Sequence, residues 1–428
     1  MTGTAPGPRR WRGRAQLAAV AAAVAMVAPM TACGSRGGAG VPTVSLYYAP
    51  EQNFQKVVDD CNARAQGRYR IAYQVLPRGA DDQRTQMVRR LAAGDDGMDV
   101  LGLDVTWTPE FASAEWILEW TGERRADAER GALAGPLESA RYDGRLYAVP
   151  KNTNTQLLWY RSDLVETPPR TWDEMIRMAQ DLKRQGKPYQ VITMGAQYEG
   201  LVVFYNTLVA SAGGKIISDD GTRMVFDEGA VQALELLRRF ATAGVTNPSF
   251  ANAKEDDARL QFQSGQGAFE LNYPFVYPAM QEGAPDLAKK VRWARYPAVV
   301  ADRPSKVTIG GYNLAVSSYS RHPAESFDAA LCLRNAEHQK FSAINDGVPP
   351  TIESVYADPA MDQAYPMKDD LITELKDAAI RPRTPAYQNV STVMSATLSP
   401  PSAIRPQQAA DELRDSLQDA LESKGVLP

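Results

Sequence analysis

Histidine and cysteine are scarce: the 428 residues hold two histidines, His322 and His338, and three cysteines, Cys33, Cys61 and Cys332. This excludes zinc ribbons, iron–sulfur clusters and most His/Cys metal centres, and it leaves little room for a Ser-His-Asp triad. No metal or other cofactor is expected. An excess of basic charge is missing too. The formal net charge is −4 and the isoelectric point about 5.5, which is not the footprint of a nucleic-acid binder. Beyond the first forty residues no apolar run is long enough to span a bilayer, and no repeat or low-complexity tract appears. What is present is a globular balance of 44% hydrophobic and 23% charged residues, over a length that suits two domains.

The N-terminus reads as an address. Arg9, Arg10, Arg12 and Arg14 precede an Ala/Val-rich stretch, Ala15–Met26, the charge-then-apolar order of a signal peptide. It runs into Met30–Thr31–Ala32–Cys33 and a glycine-rich Gly34–Gly40. Small residues ahead of a cysteine resemble a bacterial lipobox. That implies a signal peptide over 1–32, lipidation (palmitate among the acyl groups) at Cys33, and a tether over 33–41. At about 0.8 kcal/mol per buried CH₂, acyl chains hold a soluble body on the extracytoplasmic face of the cell membrane without a transmembrane helix. A secreted protein with a chance cysteine is the other reading. Cleavage removes four arginines and no acid, moving the formal charge from −4 to −8.

Strand and helix patterns alternate from Val41: strands at Val41–Tyr48, Tyr69–Leu76 and Met98–Leu103, helices at Glu51–Arg64, Asp82–Ala93 and Thr108–Trp120. This βαβαβα order predicts a parallel sheet covered by helices, with ligands outside the carboxyl ends of its strands. Further strands are expected at Leu146–Pro150, Leu157–Arg161, Gly267–Asn272 and Lys306–Ser317. Helices are expected at Thr171–Gln185, Glu199–Ala212, Glu228–Ala243, Pro323–Ala343 and Pro406–Ser423. The expected division is a first lobe of 42–152 plus about 314–365, and a second of about 153–313 plus 366–428.

Five segments, in order, are similar to motifs of the extracellular solute-binding proteins of bacterial ABC sugar importers, the maltose/trehalose type. They are Tyr142–Pro150 (YDGRLYAVP), Leu157–Leu164 (LLWYRSDL), Pro169–Met175 (PRTWDEM, a capping-box helix start), Phe262–Phe269 (FQSGQGAF) and Gly310–Val316 (GGYNLAV). Within the family, Glu51–Asn53, Leu103–Trp107 and Lys151–Asn154 most resemble the trehalose-binding lipoproteins of mycobacterial trehalose-recycling importers. The resemblance implies an α/β, two-lobe periplasmic-binding-protein fold with a hinge, closing on sugar and carrying no catalytic residue. It further implies a monomer whose partners are trehalose or a related disaccharide and the permease subunits of an ABC importer.

A sugar calls for paired hydrogen-bonding groups and an aromatic face. Asp104 follows an apolar strand at its carboxyl end, where the family's acid binds a hydroxyl; a turn or N-cap role is the alternative. Glu51, Gln52 and Asn53 follow the first strand, with simple capping as the rival role. Asn152 and Asn154 stand at the hinge entry. Tyr273 and Tyr312 stand where relatives carry tryptophan platforms, and Gly311 lets backbone approach the ligand. Arg381 matches the family's ligand-binding arginine, with Arg383 as fallback. Glu255 sits in a charge run that also reads as a solvated helix start, and Glu199 opens a helix in a motif read mainly as structural. Trp107, Trp116, Trp120 and Trp159 read as core, and His322 as a surface-loop residue. A binder of maltodextrin or a glycerophosphodiester is the alternative function, and a secreted glycoside hydrolase using Asp104 and Glu255 a more distant one. Finally, Cys61 and Cys332 lie in two helical patterns expected on the same sheet in an oxidising compartment. A disulfide between them is expected; two buried free thiols are the other reading.

Overall fold

The computed structural model describes residues 40–424; the signal segment and Cys33 lie outside the described residues. Two β-sheets organise the chain. The first has five strands in the order Arg70–Val75, Thr43–Tyr48, Val100–Asp104, Gly310–Val316 and Ala148–Asn154. Thr43–Tyr48 pairs parallel with both neighbours. Gly310–Val316 runs antiparallel to Val100–Asp104 and to Ala148–Asn154. The sheet is therefore mixed rather than wholly parallel, because its last two strands leave for and return from the second lobe without a crossover helix. The second sheet has the order Val291–Ala294, Leu157–Arg161, Gly267–Asn272 and Gln190–Ile192.

Each sheet is covered by amphipathic helices. On the first, Phe54, Val57, Met87 and Leu91 pack with Phe327 and Leu333. On one face of the second, Trp172, Phe204, Leu237 and Phe240 pack with Leu413 and Leu417. On its other face, Trp159, Phe262 and Met280 pack with Ile352, Tyr365 and Leu371. Burying each such side chain contributes about 1.5–3 kcal/mol. Strand pairing puts Thr153, Asn154 and Gly310–Asn313 with the first sheet. Packing carries Ile352–Tyr365, expected in the first lobe, onto the second sheet.

Two expected helices are shorter than their apolar patterns. Thr108–Ser113 stops where Glu115 turns to φ 58° and Ile117 bridges Ser317. The pattern over Pro323–Ala343 is cut into Pro323–Leu333 and Ala336–Asp346, because the Asn335 side chain accepts from His338 N at 2.8 Å and caps a new helix. In the capping box, Thr171 Oγ1 accepts from Glu174 N at 3.2 Å, and Glu174 reaches back to Arg170 N at 2.7 Å, one residue earlier than in the usual box. Trp107, Trp120 and Trp159 are buried in the cores, and Trp116 packs partly buried against the first. Cys61 and Cys332 form a disulfide with Cα atoms 5.9 Å apart, joining two helices on the first sheet.

One buried acid gives the second lobe a pH dependence. Glu270 is wholly buried; Oε1 accepts from Asn272 Nδ2 at 2.7 Å, and Oε2 has no partner. Burial pushes its carboxyl from 4.5 up to about 8. The folded chain thus keeps a proton that the unfolded chain releases. This contribution is full below about pH 4.5, is lost as pH rises toward about 8, and is level above. The slope is on the order of 1.4 kcal/mol per pH unit. Glu270→Gln is expected to flatten that decline, so its melting-temperature advantage over the parent grows from pH 5 to pH 8. Parallel melting-temperature curves for the two proteins would refute it.

Candidate functional site

Arg381 occupies the junction of the lobes, in the extended segment ahead of the helix Tyr387–Leu398, and is 3% exposed. Its guanidinium donates from Nη2 to Asp104 Oδ1 at 2.9 Å and from Nη1 to Glu199 Oε1 at 2.6 Å. Asp104 ends a strand of the first sheet, and Glu199 opens the helix Glu199–Ala212, packed on the second. One cation thus joins a carboxylate from each lobe. Charge-assisted bonds of this kind are the strong ones. Asp104 Oδ1 also accepts from Thr106 N at 3.0 Å and Oγ1 at 2.8 Å. Glu199 accepts from Tyr387 Oη at 2.6 Å and from the Ser391 hydroxyl. Burial pushes the Glu199 carboxyl up, opposed by Arg381, Ser391 and Tyr387.

Two phenols share this space. Tyr312 faces Asp104 across the paired strands, and its hydroxyl donates to Gln83 Oε1 at 3.1 Å. Tyr273 follows the strand Gly267–Asn272 from the other lobe. Both are shifted upward, first by burial. The next contribution comes from Asp104 at Tyr312 and from Glu255 at Tyr273, and both also feel Arg381. Burial raises the Glu255 carboxyl in turn. Asp104, Glu255, Tyr273, Tyr312 and Arg381 are therefore brought together, with Asn154 on the adjoining strand opposite Gly310.

Gly311 holds φ +121°, and a Cβ there would lie 2.4 Å from Asn152 O. Asn152 Oδ1 accepts from Tyr312 N at 2.7 Å, so this asparagine fixes the phenol's strand. Glu51 Oε2 accepts from buried Lys151 Nζ at 2.5 Å and from Tyr48 Oη at 3.1 Å. The Tyr48 ring meets Tyr312 edge-on at 5.3 Å, linking Glu51 to the same region. Asn53 is engaged by Asp346 at 2.7 Å and Lys56 at 3.0 Å, while Gln52 is exposed on the turn. Arg383 pairs with Glu138 instead. Buried polar atoms near these residues without a partner include Arg381 Nε, Asn154 Oδ1 and Glu51 Oε1. Buried polar groups are normally satisfied, so these are open valences.

Several residues of this cluster were not candidates on sequence grounds. Lys151 sits within the quoted motif, but its apolar strand setting gave no hint of a buried charge. Gln83 and Tyr387 had no signal. Glu199 was read mainly as structural, and its role is to anchor Arg381. Among the described residues, Cys61, Cys332 and His338 are the one group with metal-like spacing, and their sulfurs are bonded to each other.

The family model for bacterial extracellular solute-binding proteins matches residues 49–340. A "Probable ABC transporter-binding protein" of Deinococcus radiodurans is 30% identical over 341 residues, covering 76% of this chain and 79% of that protein. Maltose-bound MalE3 of T. maritima is 27% identical with a TM-score of 0.79, over 88% of this chain and 99% of that one. The GacH receptor of Streptomyces glaucescens shares the fold, at 19% identity and a TM-score of 0.78 over 90% and 100% of the two chains. These relatives are binding proteins, not enzymes. Among the described residues no helix is long and apolar enough to cross a membrane.

Proposed function

The chain belongs to the bacterial extracellular solute-binding protein family, and from that premise we propose that it captures an uncharged disaccharide, trehalose, between its lobes. It delivers the sugar to the permease of an ABC importer, acting as a monomer held by lipidated Cys33 on the extracytoplasmic face of the cell membrane. The observation that supports this reading is the Asp104–Arg381–Glu199 bridge between the lobes, flanked by Tyr273 and Tyr312. Carboxylate oxygens and the Asn154 amide suit sugar hydroxyls, which both donate and accept, and the phenols suit a C–H face. Glu51, Asn53, Asn152, Gln52 and Glu255 complete the proposed lining. A phosphodiester fits poorly, because two carboxylates already neutralise the guanidinium and Glu255 adds a third acid.

A maltodextrin is the second reading, favoured by likeness to the maltose-bound relative. Calorimetric titration of trehalose, maltose, maltotriose and glycerophosphocholine into the full-length protein separates these readings. Trehalose is expected to bind most tightly, and Asp104→Ala to weaken it by roughly tenfold to a hundredfold, the cost of a lost buried hydrogen-bond partner. Tighter binding of maltose or maltotriose would replace trehalose by a maltodextrin, and no binding by any sugar would defeat the proposal.

A further inference from the structure

We propose that the Cys61–Cys332 disulfide is a thiol-exchange site, where an external low-molecular-weight thiol attacks Cys332 and forms a mixed disulfide there. The two sulfurs have unlike surroundings. Cys61 is fully buried. Cys332 is partly exposed and lines a recess of about 390 Å³ together with Arg64, Arg68, Tyr69 and Asp328. Cys332 is therefore the more open side of the disulfide.

The buried sulfur has a neighbour suited to a leaving thiolate. His338 Nδ1 lies 3.7 Å from Cys61 Sγ. The same nitrogen is 2.8 Å from the Cys332 carbonyl oxygen, and Nε2 is 2.8 Å from Asp60 Oδ2. Both ring nitrogens thus face oxygen acceptors, and Nδ1 also faces the Cys61 sulfur. The bond to His338 is the main cause holding the Asp60 carboxyl below its usual range, with Arg64 adding to it. An N–H donor beside a sulfur stabilises its thiolate, and a more stable thiolate leaves faster.

The exchange balances without an added oxidant. The thiolate RS⁻ bonds to Cys332 Sγ as the Sγ–Sγ bond breaks, and the electron pair departs on Cys61 beside the His338 ring. One disulfide and one thiolate stand on each side of the step. Exchange also releases the helix Phe54–Ala65 from the helix Pro323–Leu333, which the disulfide ties across 271 residues.

The test incubates folded, full-length protein with excess reduced glutathione, quenches in acid, denatures, blocks free thiols with N-ethylmaleimide and maps the peptides by mass. Glutathione is expected on Cys332 and maleimide on Cys61. His338→Gln and Asp60→Asn are each expected to slow adduct formation, by about threefold for each unit of pKa the leaving thiol regains. Asp60 is partly exposed, so its substitution leaves the core packing alone. Adduct on Cys61, adduct only after denaturation, or unchanged rates in both variants would overturn the proposal.

Discussion

Replacing Arg381 with methionine is expected to abolish measurable sugar binding and to destabilise the protein by about 3–5 kcal/mol, the usual cost of breaking a buried ion pair from one side. The size follows from what is left behind. Asp104 and Glu199 would lose the guanidinium that joins them, and among the described residues Glu199 would keep hydroxyl donors alone, Tyr387 and Ser391. Burial already pushes the Glu199 carboxyl up while Arg381 opposes it. Without Arg381 that carboxyl rises further, so the variant folds best with Glu199 protonated. Its deficit should therefore shrink toward acid pH and grow as pH rises. Lysine at this position supplies one point charge where the guanidinium makes two directed bonds, so Arg381→Lys should fall between. Urea unfolding at pH 5 and pH 8, beside a trehalose titration, reads both effects. A methionine variant that binds like the parent and loses less than about 1 kcal/mol would show that the bridge is not the keystone of the cleft.

The contrast with Arg381 shows which features the sequence made legible. Strands with unbroken apolar runs, such as Val100–Asp104 and Gly267–Asn272, were readable because two-sided burial leaves a compositional mark. The ends of helices were less so. Nothing in the apolar pattern of Pro323–Ala343 announces that Asn335 will cap a new helix. Asp104 and Arg381 could be singled out because each sits in a motif. That they hold each other, and that Glu199 holds Arg381 as well, could not be, since the partners stand 277 and 182 residues apart. Lys151 is the clearest gap: a lysine in a strand reads as an exposed residue, whereas here Glu51 neutralises it and the rings of Tyr48 and Phe54 lie 5.1 and 4.7 Å from its nitrogen. Long-range pairing of charges is a property of the closed topology, and local pattern carries no record of it.

The same topology makes adjacent glycines unequal. Gly311→Ala should cost about 3 kcal/mol or more, and Gly310→Ala well under 1 kcal/mol. Gly311 sits at φ +121°, a region other residues scarcely enter, and its Cβ would press 2.4 Å from Asn152 O and 2.7 Å from Thr153 Cα. These are backbone atoms of the neighbouring strand, so no side-chain rotation relieves them. The strand Gly310–Val316 would have to part from Ala148–Asn154 where the register already shifts, between Tyr312 and Asn313. The bond from Tyr312 N to Asn152 Oδ1 would go with it. Tyr312 and Asn154 would then lose their placement, and trehalose affinity should fall with stability. At Gly310 a Cβ meets the Asn154 Cβ at 3.5 Å and the Asn154 oxygen at 3.9 Å, both ordinary contacts, and no left-handed φ is required. Unfolding midpoints and trehalose titrations of the two single variants make the comparison internal. Equal losses at both positions would mean that the crowding at Gly311 does not govern this hinge strand.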